Sequence, residues 1–91
     1  MPISMIKLVA ASPSGERSLD LRFSDGATAR WSADEIIARN TVLTAPLSDP
    51  AYFARAFVEA GALAWPNGLE LAPSALYRKL ERSGALHKAA A

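Results

Sequence analysis

The runs Leu19-Asp-Leu-Arg-Phe23 and Ala27-Thr-Ala-Arg-Trp31 each alternate apolar and polar residues, with only Ser24-Asp25-Gly26 between them. A period of two is the repeat of a strand with one buried face, and Asp-Gly is a hairpin signal. Loop length then decides which faces meet, because a one-residue slip reverses every side chain. A two-residue loop would set Leu21 opposite Arg30 on the same face. A three-residue loop, with Gly26 left-handed, sets Phe23 against Ala27, Leu21 against Ala29 and Leu19 against Trp31. The other face then pairs Asp20 with Arg30, opposite charges across strands. The longer loop satisfies both faces, and the apolar one requires a covering layer.

The flanking sequence supplies candidates for that layer. Residues 3–11 are rich in apolar and β-branched types and read as a strand, and the turn formers at 12–16 read as its end. Ser32-Ala-Asp-Glu35 has capping-box spacing ahead of Ile36 and Ile37, which predicts a short helix. Residues 40–46 form a connection. Asp49-Pro50 supplies an N-cap followed by proline at the first helical position, ahead of Tyr52 and Phe53. Residues 55–59 and 62–65 read as a second hairpin around Ala60-Gly61.

Pro66 ends that ladder, and Asn67-Gly68 is a turn pair in which both residues tolerate positive φ. Leu69 and Leu71 flank an outward Glu70 in a very short strand. Pro73 suits the start of a helix, with Ser74 able to cap it, and Leu76, Tyr77 and Leu80 share one face. Gly84 ends it. The expected fold is α+β: a mainly antiparallel sheet built from two hairpins, short connecting helices, and a C-terminal helix packed against it. Residues 1–84 are expected to form a single domain and 85–91 a disordered tail.

Composition narrows the chemistry. Apolar residues make up 51 % of the chain and charged residues 21 %, the profile of a soluble globular protein. Ten Lys and Arg oppose nine Asp and Glu, so a net charge of +1 gives no global field to gather nucleic acid or an anionic membrane. Cysteine is absent, which removes disulfides, thiolate metal sites and a cysteine nucleophile. The first residues lack the order of a signal peptide, and no run approaches the roughly 20 apolar residues of a membrane span, so a cytoplasmic location is expected. His87 is the sole histidine and lies in the expected tail, without a positioned neighbour. The carboxylates fall at turns, caps and outward strand positions, and no glycine-rich phosphate loop occurs. The expectation is a protein that is not an enzyme and uses no metal or cofactor.

Two surfaces remain as candidates. Residues 65–77, Trp-Pro-Asn-Gly-Leu-Glu-Leu-Ala-Pro-Ser-Ala-Leu-Tyr, have local backbone reasons to form a structural corner. If its side chains are partly exposed, Trp65, Asn67, Glu70 and Tyr77 would form an aromatic and amide patch for a partner. The C-terminal helix carries Arg78, Lys79 and Arg82, which either complement the helix C-terminus or contact phosphates. An apolar pocket beside Trp31 or Trp65 for a small ligand is a third reading.

Phe23-Ser-Asp-Gly26, Pro46-Leu-Ser-Asp-Pro-Ala-Tyr-Phe53, and Trp65-Pro-Asn-Gly-Leu-Glu-Leu-Ala-Pro73 with Leu76-Tyr77 together resemble a family of small bacterial proteins, domain of unknown function 2442. The chain departs from the family pattern at Trp31-Ser32-Ala33 and at Ser74. The resemblance implies an α+β domain with no established enzymatic activity and no catalytic residues to carry over. It also implies a place in toxin–antitoxin-like gene pairs beside another small protein. Some relatives carry a helix-turn-helix segment after this domain, which is expected to be missing from a chain ending at Ala91. The expected function is therefore a protein-interaction domain, antitoxin-like or an inhibitor of another small protein, with a homodimer compatible. The alternative is nucleic-acid binding through Arg78, Lys79 and Arg82.

Overall fold

A computed structural model describes residues 5–88. Its strands are β1 (Leu8–Gly15), β2 (Ser18–Phe23), β3 (Thr28–Ser32), β4 (Phe57–Glu59), β5 (Ala62–Ala64), β6 (Glu70–Leu71) and β7 (Leu86–His87). The helices are α1 (Asp34–Ala38), α2 (Pro50–Phe53) and α3 (Pro73–Ser83), with a 3₁₀ turn at Ala45–Ser48 before α2. The fold is α+β, with antiparallel strands in two groups ordered β1-β2-β3-β7 and β4-β5-β6.

The β2–β3 hairpin has the register argued from its pattern: Leu21 lies opposite Ala29, Leu19 opposite Trp31, and Asp20 opposite Arg30. Phe23 N–H donates to Ala27 C=O at 2.8 Å and Gly26 N–H donates to Phe23 C=O at 2.9 Å, closing the three-residue loop. Gly26 has φ 89°, where a Cβ would be strained. Trp65-Pro-Asn-Gly-Leu69 repeats this turn: Trp65 N–H donates to Leu69 C=O at 3.0 Å and Gly68 N–H donates to Trp65 C=O at 3.1 Å. Here only Gly68 has positive φ, at 94°. Asn67 was expected to share that conformation, but it acts through its side chain, whose Oδ1 accepts from Leu69 N–H at 3.1 Å. Asp25 does the same for Ala27 N–H at 2.9 Å. The two turns differ in sequence but share one hydrogen-bond plan.

One continuous cluster of buried side chains joins the two sheets and the helices. Leu19, Leu21, Phe23, Ala27, Ala29 and Trp31 give the inner face of β2–β3, and Leu76, Tyr77 and Leu80 give the matching face of α3. Phe23 meets Tyr77 edge-to-face at 5.2 Å between ring centroids. Trp65 lies 6.3 Å from Trp31 and 5.8 Å from Phe53, so it bridges the two strand groups and α2. Its indole N–H is buried and donates to Phe53 C=O at 3.1 Å. A buried N–H without that acceptor would forfeit a hydrogen bond to water, so this bond fixes the ring's orientation.

Several local expectations are corrected. Residues 12–15 belong to β1 and are not a turn, with Ser12 opposite Asp20 and Pro13 opposite Leu19. In an antiparallel ladder the hydrogen-bonding direction alternates, and the Phe23–Ala27 bond sets its phase. Pro13 therefore directs its backbone to the open edge, where a missing N–H costs the sheet nothing. Ser32 Oγ accepts from Asp34 N–H at 3.2 Å, but Glu35 does not complete the capping box. Glu35 binds Lys79 of α3 at 2.6 Å and Arg39 at 3.6 Å, tying the two helices together. Ser74 makes no cap, because Ala72 occupies that position.

The expected disordered tail at 85–91 is also corrected. Gly84, at φ 78°, turns the chain after α3, and Ala85 N–H donates to Leu80 C=O at 3.0 Å, a Schellman-type closure. Leu86 then packs on the core, and β7 pairs Thr28 with His87 and Ala29 with Leu86. Residues 89–91 lie outside the described residues, as do Ile3 and Ser4 of the first expected strand.

Gly68 has open space where a Cβ would be built, so its replacement tests backbone conformation alone. Gly68→Ala is expected to destabilise by about 1 kcal/mol in urea denaturation, because the left-handed turn disfavours any side chain. An unchanged midpoint would mean that the turn has another geometry.

Candidate functional site

Asn67 organises the molecule's most conspicuous corner. Its Oδ1 closes its own turn, and its Nδ2 donates to Leu43 C=O at 3.1 Å. Its backbone N–H donates to the Tyr52 hydroxyl at 3.0 Å, so the turn also grips α2. The Leu43 segment is braced from within. Thr41 N–H donates to Thr44 Oγ1 at 3.0 Å, Thr44 N–H donates to Thr41 Oγ1 at 3.1 Å, and Ala45 N–H donates to Thr41 C=O at 2.9 Å. This small loop presents Val42 with 89 % of its surface exposed and Leu43 with 41 %. Arg55, expected in a strand, instead follows α2, and its guanidinium sits 6.0 Å from the Tyr52 ring centroid.

The residues singled out for partner binding divide into two kinds. Trp65 is 1 % exposed and Tyr77 is 5 % exposed, so neither can form the contact patch expected of them. Both aromatic rings are core, and the backbone reasons for the corner explain their presence. Asn67 and Glu70 are exposed. Glu70 lies on β6, the edge of the smaller sheet, paired with Ala64, and its side chain has no hydrogen bond or ion pair among the described residues. Val42 and Leu43 were missed by sequence reasoning, since nothing in Asn-Thr-Val-Leu-Thr says that the two threonines brace each other.

Asp25 parallels Asn67. Its Oδ1 closes the first turn, and its Oδ2 accepts from the Tyr77 hydroxyl at 2.6 Å, joining the β2–β3 turn to α3. That bond is the chief cause holding the Asp25 carboxyl below its ordinary value, with burial opposing it. The same bond, aided by burial, pushes the Tyr77 phenol up to about 12.

Of the basic residues on α3, Arg78 and Arg82 are exposed, whereas Lys79 is held by Glu35. Lys88 pairs with Glu81. The expected phosphate-contacting trio is thus two arginines with no side-chain bond among the described residues, beside two lysines held in ion pairs. A pocket beside Trp31 does exist, lined by Ile36, Leu76 and Lys79 among others, but it holds only about 160 Å³. Small-molecule sites run to roughly 300–1,000 Å³, so it is undersized for a ligand.

A larger concavity, about 670 Å³, lies instead on the outer face of the four-stranded sheet, among Ser12, Arg22, Thr28, Arg30 and His87. It is open to solvent, and its lining mixes charged, polar and apolar side chains. Among the described residues no group of three or more His, Cys, Asp or Glu could hold a metal ion. Every buried side-chain nitrogen and oxygen among them has a hydrogen-bond partner, so none points unsatisfied into a cleft. No helix among them is long and apolar enough to cross a membrane.

The two turns make opposite demands on one side-chain type. Asp25 accepts twice, whereas Asn67 accepts once and donates once. Asn67→Asp would turn an oxygen toward the Leu43 carbonyl and is expected to cost about 1 kcal/mol in urea denaturation. Asp25→Asn is expected to cost less, because the Tyr77 hydroxyl can rotate to accept from the new amide.

The pH dependence of the Asp25–Tyr77 bond has a definite sign. A carboxyl whose folded pKa is lowered adds stability above its unfolded value and loses it as pH falls through the folded one. A phenol raised from 10.0 to about 12 adds stability below 10.0 that disappears as pH climbs through about 12. Tyr77→Phe is expected to cost about 1 kcal/mol near neutrality, and the gap to wild type should close below pH 3.8. A gap that stays constant in acid urea titrations would remove the bond from this account.

A family model described as protein of unknown function (DUF2442) matches residues 8–82. Neither a curated protein nor a solved structure matches the chain. The chain belongs to this family of unknown function.

Proposed function

We propose that this DUF2442 member is a non-enzymatic protein-interaction domain, an antitoxin-like or inhibitory partner of another small protein, and that the Val42–Leu43 loop anchors the contact. One observation carries this reading: an apolar tip, 89 % exposed at Val42, is held in place by the Thr41–Thr44 bonds and by Asn67. A lone exposed apolar residue on a mobile loop needs no explanation. A braced one is different, because the cost of ordering the loop on association has already been met by folding. Leu43 follows it in the loop, and Asn67 links that loop to the half-buried Tyr52, with the exposed Pro66 next in sequence to Asn67.

The chemistry elsewhere fits a protein that works by contact. The Trp65 and Tyr77 side chains of the corner are packed inside, and elsewhere Asp20–Arg30 and Glu35–Lys79 form ion pairs on the surface. The exposed edge at β1 is a weaker candidate for strand addition. Pro13 offers no N–H there, and register shifts flank residues 10–13.

Val42→Asp tests the loop with little effect on folding, because the side chain is almost wholly in solvent. Tagged wild type and Val42→Asp should have the same melting temperature. A protein co-purified from the native host by wild type should be lost, or weakened at least about tenfold, with the variant. Equal recovery by both would rule out the loop as the interface.

A further inference from the structure

We propose that the outer face of the four-stranded sheet is a docking site for an extended acidic segment of a protein partner. It rests on the reading of this chain as a protein-binding domain, but it uses a different face from the Val42 loop. The inner face of β2–β3 is covered by the aromatic core and α3, whereas Asp20, Arg22, Thr28 and Arg30 alternate outward into solvent. The registers align these groups in two rungs. One runs Ser12, Asp20, Arg30 and the other Ala10, Arg22, Thr28, His87. The concavity of about 670 Å³ lies over both rungs.

The lining is unbalanced in charge, with two arginines against a single carboxylate. Asp20 accepts from Arg30 Nε at 3.2 Å, which leaves the two terminal nitrogens of that guanidinium without a bond among the described residues. The side chains of Arg22 and His87 also have no hydrogen bond or ion pair among the described residues. Free guanidinium forks match carboxylates two N–H groups at a time, and the Ser12 and Thr28 hydroxyls lie beside them to bind further oxygens.

Spacing favours an extended occupant. Arg22 faces Thr28, so Arg30, two residues further along β3, is its diagonal neighbour. Such neighbours lie about 7–8 Å apart, and alternate residues of an extended peptide lie about 6.6–6.8 Å apart. Acidic residues at every second position would therefore meet one arginine each. The lining has no Phe, Tyr or Trp, so a single-stranded nucleic acid would find only the His87 ring to stack on.

The test is an amide-resolved NMR titration of the full chain with the peptide Glu-Ser-Glu-Ser-Glu-Ser at low salt. A lysine-substituted peptide and a single-stranded oligonucleotide of equal length serve as comparisons. Saturable shifts are expected at Ser12, Arg22, Thr28, Arg30 and His87, fading as salt rises, with none from the lysine peptide. Arg22→Gln plus Arg30→Gln should weaken binding at least about tenfold. Arg22→Gln alone, which breaks no ion pair, should weaken it in the same direction. Arg78→Gln plus Arg82→Gln, and separately Val42→Asp, should leave it unchanged.

Absence of saturable shifts overturns the proposal, as do shifts centred on α3 that vanish with Arg78 and Arg82. Tighter binding of the oligonucleotide on the same face overturns it in favour of nucleic acid. If Val42→Asp abolishes capture of a partner while the peptide fails to bind wild type, the loop reading survives and this one does not.

Discussion

Two hairpin turns of one design hold this structure together. In each, an aspartate or asparagine followed by a left-handed glycine closes a three-residue loop, and that residue's first oxygen accepts the N–H two positions on. The turn geometry sets strand register. The second atom of the same side chain then reaches outside the hairpin, Asp25 to Tyr77 on α3 and Asn67 to Leu43. Register and docking are thus coupled. A slipped β2–β3 hairpin would bring Arg30 to the core face beside Leu21 and would also carry the Asp25 carboxylate away from Tyr77.

The aromatic core follows from that placement. Tyr77 can lie edge-on to Phe23 because its hydroxyl reaches Asp25 at the end of the same hairpin. Trp65, immediately before the other turn, is carried between Trp31 and Phe53 with its N–H on Phe53 C=O. Each polar tip ends on a nearby acceptor, so these amphipathic rings can be buried without an unpaired donor. The aromatic residues of the 65–77 segment are therefore internal fasteners.

Most of the fold was legible because its strongest signals are local. Alternation from Leu19 to Trp31 carried both the strands and their register, and Asp49-Pro50, Gly61, Gly68 and Gly84 marked boundaries by backbone chemistry. What escaped were features whose cause lies far away in the sequence. β7 is only Leu86 and His87, too short for any pattern, and it forms because Gly84 turns the chain back toward Thr28 and Ala29. Glu35 had capping-box spacing, yet Lys79 on α3 is the partner that claims it. Pro13 looked like a turn residue, but it fits a strand because of the direction its backbone faces in a ladder with β2. The candidate surfaces escaped for the same reason. Threonines three apart give no sign that they brace a loop, and Arg22, Arg30 and His87 become neighbours only through pairing across three strands.

The coupling through Asn67 also decides how changes at this corner should be interpreted. Its amide contacts the Val42–Leu43 loop directly, and its side chain and backbone together hold the turn that precedes β6 and α3. A substitution there disturbs a hairpin, an α2 contact and the loop at once, so lost binding would not separate recognition from folding. Val42 projects from the braced loop with little burial of its own, so it can change the chemistry of the surface without touching the fasteners. The hydrogen bonds of the corner gather on the turn that carries Asn67, while the Val42 side chain at the tip takes part in none of them. A fold built on such turns can keep one backbone while its exposed loops diverge, because the bonds that set register do not involve the side chains available for contact.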